Sequence, residues 1–508
     1  MDKLEITVSI NMTANAWLTA NFPLVGEKAL PGSRERLRVN WFAVGVGRSF
    51  YIPEELPTFW PAVLLFFQKF LQQRSHTFSA RFWSLRSFSA QFSDEKKSNS
   101  RHWKSGKLPP GPYSFPIIGN IPLLSRDPHQ SLAKLAKTYG PIMYLKLGSV
   151  DTIVVSSPEI AKEVLQHQAL LGRRIPAAAE VHGHNTHSMA WLPVANHWRI
   201  LRKISKEQVF SVPRLEASQG LRQEKLQKLF DYIHECIVNH QLVDVGEAAF
   251  ITVLNLMSAT LFSVDCAQFN SDSTQELKET IRAITKILAS FNLVDYFPVL
   301  KSIDPQHDLF VGGTDTTSAT VEWVMTELIR NPEIMSKARN ELWDVVGRNN
   351  KVQESDISRL PYLQSVIKET YRYHPTGPLL IPHKAEVDTE ISGYIVPKNS
   401  QIYVNIWAIG RDSNIWLNPD SFDPERFLKC EIDIKGQDFE LIPFSSGKRM
   451  CPGFPLAARM VPLIVATLIH NFNWKPEKGM KPEEVDISEK FGVALQKAVP
   501  LKAIPIKI

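Results

Sequence analysis

The sequence predicts a mainly helical domain with a small β-sheet on one side, and three observations carry that expectation. Most segments after residue 108 repeat their apolar residues at helical rather than alternating spacing. Extended runs are few, the clearest being PIMYLKLG and SVDTIVVSS (Pro141–Ser157), divided by Gly148 and Ser149 as a hairpin would be. Strand and helix patterns do not alternate as a βαβ array requires.

In chain order, residues 1–107 show no sustained period and read as an atypical leader. Its most apolar run, FWPAVLLFF (Phe59–Phe67), is too short to span a bilayer alone and is interrupted by Pro61, so it suits contact with a membrane surface. KLPPGPYSFPIIGNIP then places five prolines between Pro109 and Pro122, a stiff hinge at the entrance of a domain that runs from 108 to 508. After the hairpin, helices are expected at Pro158–Gln168, Ala195–Val209, Arg214–Val238, Asp308–Arg330, Pro332–Val346, Pro361–Tyr373 and Phe454–Asn471. In PYLQSVIKETYRYHP the buried stripe is Leu363, Val366, Ile367 and Thr370, and Pro375 ends the run.

With 508 residues, 44% of them hydrophobic and 22% charged, the chain can bury a large core and is neither fibrous nor broadly disordered. Length alone suggests about three domains, an inference that one large helical domain overrides. The net charge of +6 is spread along the chain, which does not imply nucleic acid but leaves room for an acidic partner or a membrane surface. The four cysteines, Cys236, Cys266, Cys430 and Cys451, form no CxxC pair and no disulfide framework is expected.

Four short segments carry candidate chemistry. In FSSGKRMCPG, Cys451 reads as core filler, as a nucleophile or as a metal ligand; Lys448 and Arg449 would lower its pKa, and Gly447 and Gly453 let backbone N–H groups turn toward its sulfur. Glu369 and Arg372, spaced i, i+3, form either a surface ion pair or something more constrained. Gly312 and Gly313 would each weaken a helix by about 1 kcal/mol, and Asp315, Thr316 and Thr317 follow at once. Such a turn can relay protons, or can simply kink while its hydroxyls bond back to carbonyls. In HWRILRK, Trp198 and Arg202 share a helix face and suit an anion, or pack as an arginine snorkelling over an indole.

Taken together and in order, these segments resemble the cytochrome P450 family. FSSGKRMCPG matches that family's FxxGxRxCxG haem-binding loop at Phe444, Gly447, Arg449, Cys451 and Gly453. Trp198 and Arg202 match its WxxxR helix, the residues from Gly312 to Thr316 its oxygen-activation turn, Glu369 and Arg372 its ExxR pair, Pro424 to Phe427 its PERF element, and LPPGP its proline hinge. The resemblance runs from about Lys107 to the C-terminus. It implies haem b held by Cys451 as iron ligand; Trp198, Arg202, Arg449 and His383 neutralising the haem propionates; and Glu369, Arg372 and Arg426 as a buried charge network bracing the loop. It further implies Asp315 and Thr316 as proton donors in oxygen activation, electrons from NADPH through a flavin reductase docked near Lys448, and the cytosolic face of the endoplasmic reticulum membrane. SVDTIVVSSPEIAKEVL and IPHKAEVDTEISGYIVPKNSQIYVNIWAIGRD look most like plant terpenoid hydroxylases of the geraniol 8-hydroxylase type, which implies a small apolar substrate and no nucleic acid.

Two departures qualify the match. The leader replaces the short membrane anchor usual before the hinge. ASFNLVDYFPVLKSIDPQ (Ala289–Gln306) also leads almost directly to Asp308, where relatives carry a further helix and half of the oxygen-turn helix, so part of the cavity roof is expected to be missing near 306–308. Three readings compete: a working monooxygenase; a haem-binding but impaired variant, from alternative splicing or a mis-joined gene model; and the family's peroxide-rearranging branch, against which Asp315 and Thr316 argue.

Overall fold

The computed structural model describes residues 6–8, 39–41, 107–176, 180, 184–271, 314–477, 479–492 and 494–508. The leader run Phe59–Phe67, the glycine pair Gly312 and Gly313 and the junction at 306–308 lie outside the described residues. The chain separates into two units, Met1–Lys104 and Ser105–Ile508. In the first, the short strands β1 (Ile6–Val8) and β2 (Val39–Trp41) pair in parallel.

The second unit is mainly helical with small sheets. After helix α1 (Pro128–Tyr139), strands β3 (Ile142–Leu147) and β4 (Val150–Val155) form the expected hairpin, in register from Ile142 opposite Val155 to Leu147 opposite Val150. That hairpin is one end of a five-stranded sheet ordered β3, β4, β10 (Gln401–Val404), β7 (His383–Lys384) and β5 (Gly172–Arg173), so segments more than 200 residues apart become neighbours. β8 (Thr389–Ile391) and β9 (Tyr394–Val396) form a separate hairpin. β6 (Val243–Asp244), β11 (Phe472–Pro476) and β14 (Lys502–Lys507) make a three-stranded sheet, and β12 (Glu489–Lys490) pairs with β13 (Gln496–Lys497).

Helix α2 (Pro158–Gln166) starts on Ser157, whose hydroxyl accepts the Ile160 N–H. Helix α3 (Asn196–Ile204) continues as a π-helical turn over Ser205–Val209, within the span expected for one helix. The helix expected over Arg214–Val238 is two, α4 (Val212–Ala217) and α5 (Gln219–Val238), because the chain turns at Ser218. Arg222 fills that corner, donating to the Leu215 carbonyl and the Ser218 hydroxyl.

Helix α6 (Val245–Phe262) was not among the expected elements. It is capped by Asp244 and apolar almost all round, so it has no stripe for periodicity to reveal. It meets α7 (Thr314–Arg330) at Gly246, where a Cβ would come within 2.6 Å of the Glu322 carboxylate, so any larger residue must displace that side chain. Helices α8 (Pro332–Val346), α9 (Pro361–Tyr373) and α10 (Phe454–Asn471) complete the described helical core, and residues of α5 through α10 share one apolar cluster. By length and composition α6 and α10 could each cross a membrane, but both are mostly buried within this core.

Candidate functional site

The segment before α10 is built to present Cys451. Ser445 adopts a left-handed conformation (φ 63°), Ser446 donates from its hydroxyl to the Gly436 carbonyl, and Gly447 to Arg449 close a 3-10 turn. Gly447 lies at φ 66°, with its Cα turned so that a Cβ would stand 2.8 Å from the Leu165 carbonyl oxygen, so no other residue fits without displacing α2. The loop closes on itself through the Cys451 N–H, which donates to the Phe444 carbonyl at 2.9 Å. Phe444 in turn packs edge-on against Tyr371 of α9 and Phe454 of α10.

Cys451 is exposed, but its thiol stands in a recess crowded by protein atoms, and that desolvation raises its pKa above the usual thiol value. The Gly453 and Phe454 amides directed at the sulfur and the Arg202 charge pull the other way. The sequence reading named Lys448 and Arg449 for this role, and the structure corrects it. Lys448 reaches away to Gln168, and Arg449 turns its guanidinium to the carbonyls of Leu171, Met189 and Leu192, so Arg202 is the cation that bears on the thiol.

Beside the loop lies a cluster of basic side chains. Arg449 sits 5.2 Å from the Trp198 ring and Arg202 lies 6.0 Å from the same ring. The Trp198 N–H donates to the Met189 carbonyl at 3.1 Å, so the indole contributes its face to the cluster while its donor is taken. His383 on β7 is buried with Nδ1 against the Leu170 carbonyl at 2.7 Å, and its pKa is lowered to about 3 by burial and by the charges of Arg173 and Arg449.

Arg173 on β5 was not among the expected site residues. It is buried, donates to the Ile381 carbonyl, and has its pKa lowered to about 9 by burial and by Arg449. The pKa of Arg449 is likewise lowered, to about 10, by burial and by Arg202, with Glu386 the acid that opposes this. Arg173 Nε and His383 Nε2 are buried and have no hydrogen-bond partner among the described residues. A buried cation with an unused donor, beside an imidazole that a proton on Nε2 would charge, suits an anionic ligand, and a thiol beside them suits a metal. A ligand that carries both a metal and carboxylates answers the whole arrangement.

Behind the loop, Glu369 and Arg372 on α9 are almost completely buried and joined by two bonds of 2.7 Å. The remaining Arg372 donors reach the carbonyls of Gly410, Pro419 and Ser421, and Arg426 Nε meets Glu369 at 3.1 Å. This is not the exposed pair that the i, i+3 spacing alone allowed. On α7, Asp315 is buried and Thr316 half-buried. Asp315, Ser318 and Glu322 line a cavity of about 30 Å³ with Gly246, Gln496 and Lys497, enough room for one or two waters. The packing of α7 on α10 relates this part of the site to the Cys451 loop.

Comparison with known proteins gives the family. A family model described as Cytochrome P450 matches residues 109–308 and 306–502. The chain is 51% identical over 470 residues to a protein named Cytochrome P450 76T24 from Catharanthus roseus, covering 80% of this chain and 94% of that one. It is 46% identical over 466 residues to a ferruginol synthase from Isodon rubescens, with shares of 79% and 94%. To a geraniol 8-hydroxylase from Swertia mussotii it is 46% identical over 464 residues, with the same shares. In the first comparison, 80% of 508 residues is about 406, so about 64 of the 470 aligned positions have no counterpart in this chain.

Proposed function

On the premise that this chain belongs to the cytochrome P450 family, whose members carry haem b and act as monooxygenases, we propose that it inserts one oxygen atom from O2 into a small apolar substrate of the terpenoid class. Electrons would come from NADPH through a flavin reductase on the basic face near Lys448. The observation that carries this reading is the Cys451 thiol beside a buried basic cluster in which an Arg173 donor is unused and the unprotonated His383 Nε2 has no partner among the described residues.

Those residues fit the cofactor. Cys451 would hold the iron as thiolate; a coordinating metal deprotonates a thiol outright, which overcomes the burial that raises its pKa, and the Gly453 and Phe454 amides steady the charge. Arg173, Arg202, Arg449 and His383, with the Trp198 face, would receive the two propionates, whose charge restores the solvation that burial took from the three arginines and favours a proton on His383 Nε2. Phe444, Gly447 and Gly453 shape the loop, and Glu369, Arg372 and Arg426 brace it. When bound, haem supplies the activation of oxygen. Asp315 and Thr316 would hold and pass the protons that activation consumes, Asp315 drawing on the small polar cavity it lines.

The relatives' names support the substrate class: geraniol 8-hydroxylase and ferruginol synthase both denote terpenoid chemistry. We place the protein on the cytosolic face of the endoplasmic reticulum membrane, in contact through its leader. The test is reconstitution of haem-loaded protein with an NADPH-dependent reductase and a panel of monoterpenoid and diterpenoid substrates. Hydroxylated product matched to NADPH consumed is expected, and haem-loaded protein that oxygenates none of the panel would overturn the reading.

A second reading, haem binding with impaired turnover, is favoured by two observations. The family match is broken into two stretches that meet at 306–308, and about 64 aligned positions of the first relative face no residue here. A roof shortened at that point would leave the substrate cavity open to water. Restoring a relative's segment between Gln306 and Asp308 is expected to raise product yield and thermal stability together; equal values would return the protein to the ordinary monooxygenases.

A further inference from the structure

Cys451 is served by the first turn of α10, and that turn is held from outside its own helix. The Gly453 and Phe454 amides face the sulfur at the helix start. Pro462, inside α10, removes the N–H that would bond the Ala458 carbonyl, so the first two turns lack part of the ladder that ties them to the rest of the helix. Arg459 compensates. Its guanidinium donates to the Pro455 carbonyl at 2.9 Å and pairs with Glu354 at 2.9 Å.

Glu354 is itself fixed. Its second carboxylate oxygen takes two contacts from Arg222, at 2.8 Å from Nε and 2.6 Å from the terminal nitrogen. Arg222 is 1% exposed and spends its remaining donors on Ser218 and Leu215 at the corner between α4 and α5. The backbone under Glu354 is set by a 3-10 turn, Glu354–Arg359, whose start is closed by the Gln353 N–H on the Asp356 carboxylate. A buried arginine therefore holds a carboxylate, the carboxylate holds Arg459, and Arg459 holds the turn that faces the sulfur. In an isolated surface pair such geometry carries little weight, but here one partner is buried and the carboxylate is shared by two guanidiniums.

We infer that Glu354, anchored by Arg222, is a positioning residue for Cys451: through Arg459 it sets the first turn of α10 and so the N–H groups that steady the thiolate. The inference rests on the haem-thiolate reading for its consequence, and on the contacts among Arg222, Glu354 and Arg459 for the clasp. It makes α5 and the turn at Glu354, which supply no residue facing Cys451, contributors to ligand strength.

Arg459→Met tests it with least harm, since Arg222 and Glu354 remain paired; Arg459→Lys keeps the charge but not the two-way donation. In the full-length haem-loaded protein, hydrogen exchange over Leu456–Met460 should quicken about tenfold in the methionine variant, with a smaller change in the lysine variant and none in α8. The thiolate-type band of the reduced carbon-monoxide complex should decay about fivefold sooner on mild warming while the helical far-ultraviolet signal persists. Exchange equal to that of the unaltered protein would overturn the clasp. Faster exchange with an unchanged band lifetime, or band and helical signal lost together, would overturn its role toward Cys451. If the unaltered protein shows no thiolate-type band, the haem-thiolate reading fails and with it the role toward Cys451, while the exchange measurement still decides the clasp.

Discussion

Behind the Cys451 loop, Glu369, Arg372 and Arg426 commit their charges to one another and to backbone carbonyls. Beside it, Arg173, Arg202, His383 and Arg449 gather around few acids and leave Arg173 Nε and His383 Nε2 without a partner among the described residues. Both groups are buried basic clusters within one domain, yet the first is complete and the second is not. A completed buried network is scaffold, because losing any member strands a charge. An incomplete one costs folding free energy until a ligand arrives, and so marks where the ligand belongs.

The contrast can be broken most easily at Glu369. Glu369→Gln leaves Arg372 buried without its counter-charge and should destabilise the protein by about 3–5 kcal/mol, with or without haem, as read by urea unfolding. Arg173→Met should do the reverse in the haem-free protein, leaving stability unchanged or slightly raised because a buried, poorly compensated cation is removed, while haem retention falls about tenfold. Equal destabilisation of the haem-free protein by the two substitutions would erase the distinction.

A gentler test uses pH. His383 is held neutral, with its pKa lowered to about 3 by burial and by Arg173 and Arg449, against 6.5 in the unfolded chain. Between those values the unfolded state binds more protons, so stability of the haem-free protein should fall as pH falls from 6.5 toward 3, by at most about 1.4 kcal/mol per pH unit from this group. His383→Gln should remove that part of the slope, and bound haem should flatten it, because propionate charge favours the imidazolium. A slope identical in all three samples would exclude His383 as its source. The smallest structural effect is expected at Thr316. Thr316→Ala should leave haem content and unfolding unchanged while diverting severalfold more NADPH into hydrogen peroxide, and unaltered coupling would remove its part in proton transfer.

What the sequence made legible is local. The Cys451 loop, the α9 pair and the β3–β4 hairpin each lie within a short window, so spacing and turn chemistry expose them. Arg173 was invisible because nothing near it in sequence is unusual; it acquires meaning when β5 pairs with β7 and brings it to His383, 210 positions away, and to Arg449. Likewise the Trp198 donor is taken by Met189, and Arg449 faces carbonyls rather than the thiol, because the path of a loop decides where a donor points. Helix α6 escaped notice since uniform burial removes the stripe that periodicity needs, and the break between α4 and α5 is a corner that Arg222 fills through Leu215 and Ser218.

The central claim is that Cys451 is the iron ligand, and reduced carbon-monoxide difference spectroscopy of purified protein addresses it most directly. The account predicts a red-shifted thiolate-type band in the unaltered protein and in Cys430→Ser, and its loss in Cys451→Ser. Persistence of that band in Cys451→Ser, or its loss in Cys430→Ser, would contradict it.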